Sequence, residues 1–266
     1  MDADKKEKET RDGMIEVKNL KTKYSYGDEF SVASALFENS RISGVIGKNG
    51  SGKSTLLKTL AGQRKYEGRI LINQKECSEY SSMERAREVA FLPQSVKNLN
   101  MDVRTLVEHG RYPYHGNFRR MGEEDEKKVN RALELTHMKS FEKRDLYELS
   151  GGERQLAYLS MIIAQDSSMI LMDEPTTYMD RIHQDEFFSI LRILVKEGKG
   201  IVMVCHDIEQ CFAYCDKIFL MEDRKLEYAG TPDDFAKNEQ IIRRNFGIAM
   251  KKSEDEESVY PFVMKK

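Results

Sequence analysis

Residues 47–54 read Gly47-Lys48-Asn49-Gly50-Ser51-Gly52-Lys53-Ser54, a complete G-x-x-x-x-G-K-[ST] stretch. Its glycines permit positive φ and let backbone N–H groups wrap a phosphate. Lys53 is long enough to reach the β- and γ-phosphates of a nucleotide, and the Ser54 hydroxyl can ligate Mg²⁺. With Asn49, Ser51 and Thr55 these residues form the candidate phosphate-binding set. Val45-Ile46 precedes the loop and Thr55-Leu56-Leu57-Lys58-Thr59-Leu60-Ala61 follows it. A buried strand therefore feeds a helix whose N-terminal dipole adds to the anion site.

Outward from this loop the chain alternates between two periodicities. Short apolar runs at 15–17, 30–36, 69–72, 89–92, 169–172, 201–205 and 218–221 predict strands, most of them buried. Leu156, Leu159 and Ile163 share one helical face, and residues 181–197 predict a mostly buried helix. Residues 95–148 are polar, with a charged helical pattern at 123–136, and predict a helical insertion into an α/β core. The strand-rich 14–42 region predicts an antiparallel piece before that core. Residues 1–13 are almost all charged or small and predict a disordered tail. Residues 248–266 are a second charged tail, whose Val259-Tyr260-Pro261-Phe262-Val263 end is expected to dock back as an extended segment. No repeat at a 20–50 residue period suggests a tandem duplication.

Composition narrows the function classes. The 266 residues are 39% hydrophobic and 33% charged, with a formal net charge of -2. That balance argues against a dedicated nucleic-acid binder. Mean hydropathy is -0.62, and no apolar run approaches the ~18 residues that span a bilayer. The first 13 residues lack the apolar stretch of a secretory signal, so the expected compartment is the cytoplasm. The four cysteines (Cys77, Cys205, Cys211, Cys215) form no CxxC or zinc-like set and read as reduced, buried thiols.

Two further stretches carry chemistry. Met169-Ile170-Leu171-Met172-Asp173-Glu174-Pro175 is an apolar run ending in two carboxylates. Such a pair alone reads as a solvated strand end. Beside a complete phosphate loop, Asp173 suits the second Mg²⁺ partner and Glu174 the group that polarises an attacking water. Leu149-Ser150-Gly151-Gly152-Glu153 contains a capping box, Ser150 with Glu153, so a helix starts there. It reads either as an ordinary capped helix or as a second anion site made of the Ser150, Gly151 and Gly152 backbone.

These motifs and their order resemble the ATP-binding subunits of ATP-binding-cassette (ABC) transporters over roughly residues 14–247. The resemblance implies a P-loop NTPase ABC cassette of α/β class. Its parts are a RecA-like core, an antiparallel β subdomain and an inserted α-helical subdomain at about 95–148. It implies catalytic roles for Glu174, His206, Gln94 and Lys53, with Mg²⁺ held through Ser54, Gln94 and Asp173. Tyr26 resembles the aromatic that stacks on adenine, with Tyr24 as its rival. Ser150, Gly151, Gly152 and Asp180 resemble residues that meet the ATP of a partner cassette. In the family two cassettes pair head to tail, so a second ABC subunit is implied, a homodimer being the simplest case. Transmembrane permease subunits and, indirectly, an extracytoplasmic substrate-binding protein are the other implied partners. They would place the chain peripherally on the cytoplasmic face of the cell membrane.

Thr176-Thr177-Tyr178-Met179-Asp180 with His183-Gln184, and Gly110-Arg111-Tyr112-Pro113-Tyr114, resemble stretches of the iron-chelate importers, which take up ferric siderophores, haem or cobalamin. The alternative is a non-transport ABC ATPase of the iron–sulfur assembly type, similar in size. Leu156 stands where Arg is common after the signature.

Overall fold

Ile15, Val17, Leu20 and Thr22 are buried while Lys18, Lys21 and Lys23 are exposed, the alternation of a strand with one wet face. Asn19, at φ 50, shifts the register between Lys18 and Lys21, so the alternation resumes one residue late. The computed structural model describes residues 14–23, 29–95, 99–115, 121–177, 179–206, 208–252 and 259–262. Tyr24, Tyr26 and the 1–13 tail lie outside them.

In chain order the elements are β1 (Ile15–Lys23), β2 (Glu29–Phe37), β3 (Ile42–Ile46), α1 (Lys53–Leu60), β4 (Glu67–Ile72), β5 (Lys75–Glu76), α2 (Ser82–Glu88) and β6 (Val89–Leu92). Next come α3 (Val103–His109), α4 (Tyr112–His115), α5 (Glu123–Leu135), α6 (Gly151–Gln165), β7 (Met169–Asp173), α7 (Arg181–Lys196) and β8 (Gly200–Val204). The chain continues through α8 (Ile208–Tyr214), β9 (Lys217–Glu222), β10 (Lys225–Gly230), α9 (Pro232–Ala236), α10 (Glu239–Phe246), β11 (Ala249–Lys252) and β12 (Val259–Phe262).

Ten strands form one sheet in the order β5-β4-β1-β2-β10-β9-β3-β8-β7-β6. The run β9-β3-β8-β7-β6 is parallel. Its central strands β3, β7 and β8 are buried at every position, because helices or strands cover both faces. In β8, Ile201 and Met203 enter one core while Val202 and Val204 enter the other. The antiparallel piece predicted before the core is real, but it continues that sheet: β2 meets β10 at a single parallel pair, Lys225 with Ser31. The strand β10 has no apolar run and alternates between exposed and half-buried, which is why the sequence does not announce it.

The inserted helices α3 and α5 pack on α6, which therefore joins the insertion to the sheet. Leu156 belongs to the core that these helices share and is 4% exposed. The helix predicted at 181–197 is more one-sided than expected. Phe187, Phe188, Leu191 and Leu194 are buried, but Ile182 and Ile193 face outward. The terminal segment forms a hairpin in which β12 pairs with β11 and rests on α8 and α9; Val263 lies outside the described residues. No described helix is long and apolar enough to cross a membrane.

Asp166 ends α6 in the left-handed region, at φ 57. It accepts hydrogen bonds from Lys128 of α5 and Lys199 before β8, each at 2.7 Å. Burial pushes its carboxyl up, but the two lysines outweigh that and hold it below its ordinary range. A carboxylate depressed in this way stabilises the fold above its unfolded pKa, and the effect fades as pH falls through the folded value. Asp166→Asn keeps a residue suited to positive φ. It should cost about 1 kcal/mol at pH 7, allowing for partial solvent screening. Urea melts should show the two proteins converging in acid. An equal gap at pH 7 and in acid would mean that the charge contributes nothing.

Candidate nucleotide site

Parallel pairing aligns the C-terminal ends of β3, β8, β7 and β6 on one edge of the sheet. Val45 and Asp173 both pair with Val204, and Leu92 pairs with Met172. The loops beyond those ends carry the 47–54 stretch, His206, Glu174 and Gln94 in spatial order. This is the edge where open α/β sheets bind ligands. Residues 47, 94, 174 and 206 are thus gathered by sheet order across a long span of sequence.

The loop has the backbone that its glycines imply. Gly47, Gly50 and Gly52 lie at φ 146, 80 and 100. A Cβ at Gly47 would sit 2.1 Å from the Met221 carbonyl, and one at Gly52 would sit 2.7 Å from the Phe30 ring. These two glycines therefore serve close approach as well as torsion. Lys53 opens α1 and folds back, donating to the carbonyls of Gly47 at 2.8 Å and Lys48 at 3.1 Å. Burial lowers its pKa, against the opposing pull of Glu174 and Asp173. Ser51 Oγ is buried with no hydrogen-bond partner, as expected of a group kept for an anion.

Ser54 Oγ donates to Asp173 Oδ1 at 2.9 Å. Burial raises the Asp173 carboxyl, with the Ser54 hydrogen bond and Lys58 acting the other way. Hydroxyl and carboxylate oxygens side by side are hard donors that suit Mg²⁺. Gln94 Nε2 donates to Glu174 Oε2 at 2.7 Å, which joins the two loops over the site. Glu174 holds φ 48, a conformation uncommon for its type and frequent at functional positions. Lys53, Ser54, Thr55 and Glu174 line one cavity of about 390 Å³ together with Asn49 and Gly50. Arg224 also lines it, and no motif pointed there. It sits in the β9–β10 turn, brought beside the loop by strand order.

Ser150, Gly151 and Gly152 lie elsewhere, at the start of α6. The predicted capping box is present: Ser150 Oγ accepts from Glu153 N–H at 3.3 Å and Ser150 N–H donates to Glu153 at 2.8 Å. Asp180 caps α7, accepting from His183 N–H and meeting His183 Nδ1, both at 2.9 Å. A Cβ at Gly152 would stand 3.4 Å from the His183 ring, so the starts of α6 and α7 lie side by side. His206 is exposed beyond β8. Tyr26 falls outside the described residues.

The ABC transporter family profile matches residues 31–177. The petrobactin import ATP-binding protein FpuC of Bacillus anthracis is 40% identical over 207 residues, covering 77% of this chain and 76% of the relative. The ferric enterobactin transport ATP-binding protein FepC of Escherichia coli (strain K12) is 31% identical over 245 residues, covering 91% and 89%. Among solved structures, one described as a metal-chelate type ABC transporter in an inward-facing conformation superposes with TM-score 0.79 at 25% identity, covering 95% of this chain and 98% of that one.

Proposed function

This chain belongs to the ABC transporter family and is an ATP-binding, ATP-hydrolysing subunit of it, and on that premise we propose that it energises import of an iron chelate, a ferric siderophore or haem. The observation that carries the reading is the edge-of-sheet cluster of Lys53, Ser54, Asp173, Glu174 and Gln94, in a chain whose relatives are named for petrobactin, enterobactin and hemin import. Those names favour the importer over the iron–sulfur assembly ATPase.

The loop N–H groups, Ser51 and Lys53 receive the β- and γ-phosphates, and Lys53 exchanges its carbonyl contacts for phosphate oxygens. Ser54 and Asp173 would hold Mg²⁺, which supplies positive charge against the phosphates. Glu174, oriented by Gln94, takes a proton from the attacking water as its oxygen bonds to the γ-phosphorus and the bond to ADP breaks. His206, just beyond the neighbouring strand β8, would contact the γ-phosphate. The backbone of Ser150, Gly151 and Gly152 would cap the γ-phosphate on a second copy, with Asp180 at the same junction. ATP then closes a head-to-tail dimer, and loss of the γ-phosphate opens it. Permease subunits would convert that motion into transport at the cytoplasmic face of the membrane. An extracytoplasmic binding protein would supply the cargo.

The test is a gentle pull-down of the tagged chain from solubilised native membranes, with co-purifying proteins identified by mass spectrometry. A multi-span permease in the eluate is the expected result. Recovery of soluble partners alone would remove the importer reading and leave the ATPase.

A further inference from the structure

Three of the four cysteines meet in space. Cys205 follows β8, Cys211 lies within α8, and Cys215 follows that helix with its N–H bonded to the Cys211 carbonyl at 3.0 Å. Their sulfurs lie within 4.8 Å of one another, and all three residues are buried. The Cys205 and Cys215 sulfurs are 3.9 Å apart, far beyond the ~2.05 Å of a disulfide.

We propose that Cys205, Cys211 and Cys215 form a binding site for one soft, thiolate-seeking metal ion held in three-coordinate geometry. Three sulfurs at ~2.3 Å from a central ion stand about 4.0 Å from each other, close to the spacing seen. Among the described residues the cluster contains sulfur alone, with no carboxylate or imidazole. An all-sulfur set selects soft ions such as Cu(I), whereas structural zinc asks for a fourth ligand. The backbone makes room for this convergence. A Cβ at Gly44 of β3 would lie 2.5 Å from the Cys211 sulfur, 2.6 Å from that of Cys215 and 3.3 Å from that of Cys205. Each of the three cysteines releases its thiol proton to solvent as its sulfur binds, and nothing is oxidised or reduced. Spacing alone concealed the site, because the chain between Cys205 and Cys211 has to turn from strand to helix before the sulfurs meet.

The full-length protein, reduced and kept anaerobic, should be titrated with Cu(I) against a competing chelator, and in parallel with Zn(II). The expected result is one Cu(I) per chain, with a thiolate-to-metal absorption band and weaker Zn(II) binding. Cys211→Ala and Gly44→Ala should each weaken Cu(I) binding at least tenfold, and Cys77→Ser should leave it unchanged. Thermal melts establish that each variant is folded, and Cys205→Ala serves if Cys211→Ala is not. Failure of the folded, reduced protein to retain Cu(I), or equal retention by folded Cys211→Ala or Cys205→Ala, overturns the site. Zn(II) binding tighter than Cu(I) overturns the three-coordinate assignment. None of these readouts uses ATP, so the outcome is independent of the transport reading.

Discussion

Glu174→Gln should lower ATP turnover about 10²- to 10⁴-fold, the range expected when a positioned general base is removed. The substitution is conservative in every other respect. Gln has nearly the same volume, and its amide oxygen can still accept the hydrogen bond that Gln94 Nε2 makes to Glu174 Oε2 at 2.7 Å. The φ of 48 costs either residue about the same. Phosphate binding rests on the 47–54 backbone, Lys53 and Ser54, none of which is touched, so ATP affinity should hold. With ATP bound and its γ-phosphate uncleaved, the head-to-tail dimer should accumulate. Phosphate-release assays and light scattering with and without ATP read the two effects separately. Turnover within threefold of the parent would remove Glu174 from its role. Lost turnover without an ATP-dependent dimer would keep the base and refute the proposed pairing through Ser150, Gly151 and Gly152.

The second large effect concerns Arg111, which is 5% exposed. Its Nε donates to Asp125 Oδ1 at 3.0 Å, its Nη1 donates to the Ala164 carbonyl at 2.7 Å, and it lies 4.0 Å from the centre of the Tyr114 ring. One side chain thus ties α5 and the 110–115 stretch to the C-terminal turn of α6. Arg111→Met preserves much of the packing but takes the guanidinium from the Asp125 carboxylate, which keeps the Gly122 N–H at 2.9 Å and His115 Nε2 at 3.1 Å, and from the Ala164 carbonyl. Breaking a buried pair from one side costs about 3–5 kcal/mol, which for a domain of this size is on the order of 10 °C in Tm. The pH dependence separates charge from packing. Burial pushes the Asp125 carboxyl up, but the Gly122 N–H and Arg111 outweigh it and hold it below its ordinary range. Its stabilisation is therefore present above the unfolded value of about 3.9 and is lost as pH falls through the folded one. The gap between the two proteins should be widest near neutrality and should narrow in acid. A loss under about 1 kcal/mol at pH 7 would show that the pair merely offsets its own desolvation.

This arginine also shows why the Gly110–Tyr114 stretch was legible only as a resemblance. Nothing in its spacing names Asp125 or Ala164 as partners, because both contacts form across separate helices. The same division runs through the nucleotide site. Gly47–Ser54, the Asp173-Glu174 pair and the Ser150–Glu153 capping box are local devices, whose torsions, apolar runs and side-chain reach are written in consecutive residues. Arg224 and the partner of Gln94 were not readable, since their neighbours are distant in the chain. The 181–197 helix is less buried than its apolar content implies, because that content does not state which face each residue occupies.

By itself, the sequence determined the phosphate loop, the family and the alternation of elements, because each depends on backbone and side-chain preferences acting over a few residues. The tertiary structure alone decided which loops share an edge. Sheet order brought residues 47, 94, 174 and 206 together, set Arg224 on the loop and gathered three cysteine sulfurs under Gly44. Strand neighbours are selected by the burial of two faces at once, a condition that no single segment can state.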